Sequence, residues 1–458
     1  MLNIFELEKI VNGKIQNENC DISKVFTDVS IDSRNILDNS LFIAIKGSKF
    51  DGHDFISSLN PSCVALVERY IDCSITQVLV KDVKQSLQNL ANYWRNQFDI
   101  PVVGVVGSNG KTSVKDMIAS IFKESTNNEY TATVGNLNND IGLPISILKM
   151  RQHHKLAVFE IGMNHPQETI LLSKILQPTV AVINNAQREH QEFMQSIENV
   201  AIEHGYLLED TNKLKHAILP FDSEFFSMWA NQCLDHNIYI TSFGLGNKAN
   251  INASHAYYNG SYELNINHSN INYTQNINLL CLGVHNICNS LAAIAASIAC
   301  GVEIHNIITG IEKFNGTKGR LQKQIINNKY IINDTYNANP DSVKAAIDVL
   351  RNLPSKRLLI LGDMGEVGER GTYFHEEIGQ YAKENHIDAI YTLGNLAKHS
   401  SLSFYIENIE KNCFFAIEDL YAFLALNIEQ FSSILIKGSR FMQMERVVTY
   451  IENLYKNN

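Results

Sequence analysis

Val102-Val103-Gly104-Val105-Val106-Gly107-Ser108-Asn109-Gly110-Lys111-Thr112-Ser113 is the stretch that decides the fold. An apolar, β-branched run suited to a buried strand ends in a glycine-rich turn. Lys111-Thr112 then opens a segment with apolar residues at helical spacing: Val114, Met117, Ile118, Ile121 and Phe122. Strand, glycine loop, Lys-Thr and helix make a seat for a nucleoside triphosphate. Loop N–H groups and the positive helix end face the phosphates, the lysine adds a mobile charge, and the threonine hydroxyl can ligate Mg²⁺. A plain strand-to-helix turn would explain the glycines but has no use for the Lys-Thr pair. Gly107, Ser108, Asn109, Gly110, Lys111, Thr112 and Ser113 are therefore the expected contacts of that triphosphate, with Lys111 also catalytic and Thr112 a metal ligand. The usual phosphate-loop spacing places a further glycine where Val105 stands, which argues against an ordinary GTPase or small kinase.

The rest of the chain is compatible with a large soluble enzyme. Its 458 residues suggest about three domains, and 45% apolar with 19% charged residues is ordinary for a globular protein. A net charge of −10 argues against a broad nucleic-acid surface. No apolar run reaches the roughly 18 residues of a membrane span; Leu291 to Val302 reads as a short buried helix, and Met1 to Ile15 has no signal-peptide core. None of the eight cysteines forms Cys-x-x-Cys, and several, unlike Cys20, lie in apolar runs, as free thiols of a reducing cytoplasm would. Asparagine is abundant throughout, so asparagine clusters carry weight only with informative neighbours.

Residues 1–82 hold short strand-like runs, Val25-Phe26, Leu41 to Ile45 and Cys63 to Val67, with two polar loops between them. One contains Ser30, Ser33 and Arg34, the other Lys46, Asp51, Gly52 and His53. Arg34 and Lys46 could hold a phosphate, beside a tight turn at Asp51-Gly52.

Residues 83–314 add short apolar runs, Leu156 to Phe159, Val180 to Ile183 and Ala217 to Leu219, each followed by a polar loop. That alternation predicts a doubly wound parallel sheet with ligands at the strand C-termini. Asn136, Asn138, Asn139 and Asp140 sit in a loop bounded by Gly135 and Gly142-Leu143-Pro144, a shape that would present amides to a polar substrate. Glu160, directly after a strand, is placed to hold Mg²⁺ next to Thr112. From Ile238 to Asn278 the pattern becomes alternating, with an Asn259-Gly260 turn, and predicts a small antiparallel insert before the Ala-rich helix.

Residues 315–458 predict a second Rossmann-like unit, with strands at Tyr330 to Ile332, Leu358 to Leu361, Ala389 to Leu393, Cys413 to Ala416 and Ser433 to Ile436. Helices are expected at Asp341 to Leu353, Phe374 to Asn385 and Arg440 to Leu454. The Gly-x-Gly-x-x-Gly fingerprint is absent, which argues against a redox role. Arg320 could hold a phosphate and Asp334 a ribose hydroxyl.

The phosphate loop with Val105, the Asn-rich loop and the C-terminal segments resemble the Mur ligase family, ATP-driven carboxylate–amine ligases related to folylpolyglutamate synthetase. Asn333-Asp334-Thr335-Tyr336-Asn337-Ala338-Asn339-Pro340, Leu361-Gly362-Asp363-Met364-Gly365-Glu366 and Lys437-Gly438-Ser439-Arg440 follow in the family's order. They match the branch that adds D-alanyl-D-alanine, and the Asp-Asn-Pro-Arg of a sister branch is missing. The resemblance implies three domains: a small α/β N-terminal unit binding the UDP end, a central ATPase and a C-terminal Rossmann-like unit. It implies ATP, Mg²⁺, UDP-MurNAc-tripeptide and D-alanyl-D-alanine as ligands, no nucleic acid, a monomer, and a cytoplasmic step. It further implies that His190 binds metal and is catalytic, that Asn289 lies by the adenine and Asn337 by ATP. Substrate contacts would come from the N-terminal loops, from Asn136, Asn138 and Asn139, and from Asp363, Lys437, Ser439 and Arg440. One departure is evident: His204 stands where the family commonly has a carbamylated lysine at a second Mg²⁺.

Overall fold

The structure is a computed structural model that describes residues 1–16, 21–209, 212–258, 261–268, 273–405 and 412–456. Cys20 and the Asn259-Gly260 turn lie outside the described residues.

Val102–Val106 is a wholly buried strand, third from one edge of a nine-stranded sheet. Leu156–Glu160 and Val180–Ile183 flank it in parallel, one on each side. Tyr130–Ala132 lies beyond the first, and His216–Pro220 and Tyr239–Gly244 beyond the second. Chain order thus reverses at Val102–Val106, so the loops after its two neighbours diverge and leave a crevice at the strand C-termini. Helix Lys111–Thr126 leaves from that crevice. It buries Val114, Met117, Ile118, Ile121 and Phe122 on one apolar layer with helix Val284–Ala299. Each such side chain contributes about 1.5–3 kcal/mol by leaving water.

A five-stranded sheet runs Lys14–Ile15, Thr76–Leu79, Val64–Val67, Ser40–Ile43, Asp28–Ser30, parallel apart from the first pair. A six-stranded sheet runs Gln322–Ile326, Lys329–Asp334, Ser433–Lys437, Arg357–Gly362, Ala389–Leu393, Cys413–Phe414, parallel apart from its first strand. The expected α/β class and its three sheet-based units are what the chain adopts.

Four elements differ from the sequence pattern. The predicted separate insert is an extension of the central sheet. Tyr239–Gly244 is parallel to His216–Pro220 and Ile251–Tyr258 is parallel to it in turn; Ser261–His268 then pairs antiparallel with both Ile251–Tyr258 and Tyr273–Leu279. Alternation reports one buried face, not which strand is the neighbour. The Ala-rich helix starts at Val284, because Gly283 at φ 91° turns the chain into it. Asn286 and Ser290 do not cap it; their side chains bond the Leu282 and Ile287 carbonyls. Arg440 lies in a short 3-10 turn, Arg440–Met442, and the last helix is Glu445–Lys456 after Gln443 at φ 50°. Strand Gln322–Ile326 has too little apolar character to show in the pattern. Pro340 takes the first helical position, where its missing N–H leaves no bond unmade, behind an Asn339–Ser342 capping box.

Arg95 ties the first long helix, Val83–Arg95, to the central sheet's outer helix. Its guanidinium is fully buried and donates to the carbonyls of Leu176 (2.9 Å), Phe98 (2.8 Å) and Gln177 (3.0 Å). Among the described residues no carboxylate lies at ion-pair distance; the three carbonyl oxygens, with the charge of Asp99 farther off, offset its desolvation. Arg95→Met should therefore strand buried carbonyls and lower stability by about 3 kcal/mol. The fluorescence of neighbouring Trp94, followed in urea, checks this; an unchanged midpoint would mean that the guanidinium holds nothing.

Candidate active site

The phosphate loop is shaped by two glycines and filled by asparagines. Gly107 (φ 143°) and Gly110 (φ 82°) hold backbone conformations unfavourable to other residues. A Cβ on Gly110 would lie 2.5 Å from Asn289 Oδ1. Asn184 Nδ2 donates to the Asn109 carbonyl and to Asn289 Oδ1, both at 2.8 Å. Asn185 receives the Asn109 N–H on Oδ1 at 2.9 Å and returns a bond to its carbonyl. Gln187 N–H donates to Ser108 Oγ at 2.8 Å. The loop after strand Val180–Ile183 thus forms the outer wall of the phosphate loop.

Thr112 Oγ1 donates to Glu160 Oε2 (2.7 Å) and accepts from the Arg320 guanidinium (2.9 Å). Asn138 Nδ2 donates to the other Glu160 oxygen at 2.8 Å. The parallel register sets Glu160 opposite Val105, and so beside the helix start. The pair offers two hard oxygen donors, of the kind Mg²⁺ takes together with phosphate and water oxygens. Among the described residues no group of three or more His, Cys, Asp or Glu forms a metal cage. His190 is engaged by two other carboxylates: its Nδ1 is 2.6 Å from Glu366 Oε2 and its Nε2 3.9 Å from Glu189 Oε2.

Glu189 is the site residue that sequence reasoning passed over. It is 5% exposed, with Lys111 Nζ 3.1 Å from Oε2 and His204 Nε2 3.0 Å from Oε1. Burial alone would raise its pKa. The Lys111 ammonium outweighs that together with His204 and His190, so the pKa is lowered to about 2. The His190–Glu366 and His204–Glu189 contacts are close but lack hydrogen-bond alignment. Contact with His190 likewise holds the Glu366 carboxyl below its ordinary range.

A cavity of about 1010 Å³ opens between the central sheet and the C-terminal one. Ser108, Asn109, Gly110, Lys111, Ser113, Asn136, Asn138, Asn139, Glu160, His190 and Asn289 face it from the central part. Arg320, Asp334, Asn337, Lys437, Ser439 and Arg440 face it from the C-terminal part. Asp334 and Lys437 form a buried pair at 2.6 Å, and Lys437 also donates to the Asn337 carbonyl. Ser439 Oγ accepts the Gly365 N–H and donates to the Ala338 carbonyl. The two halves are clamped by Arg188, whose guanidinium reaches Asp341 and, at 2.8 Å, Glu377, and by mutual amide bonds of Asn109 and Asn339. Arg188, Asn339 and Asp341 were signalled only by their loops.

Other expected residues lie elsewhere. Asp363 is outside the cavity lining; its Oδ1 accepts the Leu396 and Ala397 N–H groups at 3.0 and 2.7 Å. Ser30, Ser33, Arg34, Lys46, Asp51, Gly52 and His53 are also absent from that lining. Exposed Arg34 pairs with Asp32. Asp51 bonds Arg69 and buried His53, whose Nε2 accepts the Glu68 N–H at 2.9 Å.

Family models match most of the chain: "Mur ligase family, catalytic domain" over residues 25–68, "Mur ligase middle domain" over 105–297 and "Mur ligase, glutamate ligase domain" over 319–440. The UDP-N-acetylmuramoyl-tripeptide–D-alanyl-D-alanine ligase of Haemophilus influenzae is 32% identical, covering 99% of both chains. A crystal structure of MurF from Acinetobacter baumannii superposes with a TM-score of 0.88 at 30% identity, over 99% of this chain and 98% of that one. MurF from Thermotoga maritima in complex with ADP gives 0.80 at 25% identity, over 94% and 98%.

Gly110→Ala should introduce backbone strain and collide with Asn289. The expected result is at least tenfold weaker ADP binding by calorimetry, with about 1–2 kcal/mol lost in stability; wild-type affinity would show that the loop does not need its glycine conformation.

Proposed function

Because the chain belongs to the Mur ligase family, we propose that it joins D-alanyl-D-alanine to UDP-N-acetylmuramoyl-tripeptide at the expense of ATP. The products are UDP-MurNAc-pentapeptide, ADP and phosphate, in peptidoglycan precursor synthesis. The observation that carries this reading is likeness over the full length to ligases of that name, joined to a phosphate loop whose Lys111 lines one cavity with Glu160, the acid that Thr112 bonds.

A carboxylate is a poor electrophile. In the proposed sequence the tripeptide carboxylate oxygen attacks the γ-phosphorus of ATP, ADP leaves, and an acyl phosphate forms. The dipeptide amine attacks the acyl carbon, gives up a proton, and the tetrahedral adduct expels phosphate as the amide forms. Lys111, on the phosphate loop, spreads the charge that develops on the transferring group. Arg320 stands beside Thr112 and adds a second cation from the C-terminal side. Mg²⁺, for which Thr112 and Glu160 are the proposed ligands, would neutralise phosphate charge. Asn136, Asn138 and Asn139 are proposed to meet the substrate, and the N-terminal loops its UDP end. Asn289 is proposed at the adenine, with Asp334 and Asn337 at the nucleotide. The Arg188 and Asn109–Asn339 clamps support a closed site that keeps water from the acyl phosphate. No helix among the described residues is long and apolar enough to cross a membrane; we propose a cytoplasmic monomer.

Phosphate release from ATP, with UDP-MurNAc-tripeptide and each candidate amine, tests the reading. Release should require D-alanyl-D-alanine and yield a product heavier by the dipeptide; release with single D-alanine or L-lysine would assign a sister ligase, and none with any amine would leave nucleotide binding alone. Lys111→Met should lower turnover about 10²–10³-fold, and an effect under threefold would remove Lys111 from the chemistry.

A further inference from the structure

Lys111 is engaged by groups of the chain itself. Its ammonium bonds the Gly107 carbonyl and sits 3.1 Å from Glu189 Oε2. Glu189 cannot easily turn away to water. It follows the Asn184–Gln187 wall, which is bonded to the phosphate loop, and its side chain is 6% exposed. His204, 1% exposed near the end of helix Ile197–Gly205, lies 3.0 Å from the carboxylate's other oxygen. The groups facing Glu189 are thus Lys111, His190 and His204, with Glu366 behind His190.

We propose that Glu189, positioned by His204, is an internal competitor for the nucleotide's terminal phosphates: it holds the Lys111 ammonium and weakens nucleotide binding at the phosphate loop. Phosphate oxygens that approach Lys111 must share it with a carboxylate anchored about 3 Å behind. Like charges in a partly desolvated site repel strongly even after screening, and a penalty of about tenfold in affinity is expected. The consequence for a ligase is faster release of ADP, since the site has its own anion ready to take the lysine back. This inference rests on the phosphate loop being the nucleotide seat, and needs no ligase turnover to be tested.

ADP affinity is measured by calorimetry on the full chain, in EDTA and again in excess Mg²⁺, for wild type, Glu189→Gln, His204→Leu, His204→Gln and the Glu189→Gln/His204→Leu pair. Glu189→Gln should bind ADP about tenfold tighter in both buffers. His204→Leu should bind about threefold tighter, and His204→Gln, which keeps a polar side chain against the carboxylate, should match wild type. The double variant should equal Glu189→Gln, because His204 acts through the carboxylate. Merely structural roles would weaken binding in every variant, and that result would overturn the proposal. So would unchanged affinity in Glu189→Gln, or tighter binding in EDTA with weaker binding in Mg²⁺, which would make Glu189 a cation ligand. Should Glu189→Gln not fold, the His204→Leu and His204→Gln comparison decides, equal affinities overturning the idea. Tighter binding in the variants without dipeptide-dependent phosphate release in wild type would refute the ligase reading and leave this one standing.

Discussion

Backbone that only glycine accepts readily, packed against amide side chains, is the constraint on which the site depends. At Gly107 and Gly110 the chain turns through positive φ, and the space a side chain would need is taken by Asn184 and Asn289. That arrangement points the loop and the first turn of helix Lys111–Thr126 into the crevice. It does so because strand Val102–Val106 lies between two parallel neighbours whose loops part. Glu160 and the Asn184–Glu189 wall reach the same place because each ends one of those neighbours.

Around this fixed loop the molecule is assembled by charge and amide pairing rather than by one continuous core. Apolar layers fill each sheet's faces, yet the residues that meet across the cavity are polar. Arg320 meets Thr112, Asn109 meets Asn339, and Arg188 meets Asp341 and Glu377. Such contacts are directional and largely exchangeable with water or a ligand's own groups, unlike an apolar seam. A site that must admit a long anionic substrate and then exclude water is well served by walls of that kind.

Much of the architecture was legible in the chain. Buried parallel strands are short, β-branched and continuous, so Val102–Val106, Leu156–Glu160 and Val180–Ile183 could be read directly, with Glu160 at a strand end. Less legible were elements whose signal is a neighbour's identity. The strands Tyr239–Gly244 to Tyr273–Leu279 alternate like an independent hairpin, but join the central sheet. Asp363 looks like a free acid in a glycine-rich loop, yet it accepts two backbone N–H groups. Glu189 reads as one more polar loop residue until folding buries it against Lys111.

The sequence by itself determined the α/β class, the phosphate loop with its Lys-Thr pair, and the acid that faces Thr112, because strand periodicity and glycine spacing are local. Tertiary structure alone decided that Arg188 clamps the two halves, that His190 meets Glu366, and that Glu189 and His204 stand behind Lys111. Those contacts join residues from 15 to 189 positions apart. Burial and charge act through space, and no local pattern encodes which distant group a side chain will meet.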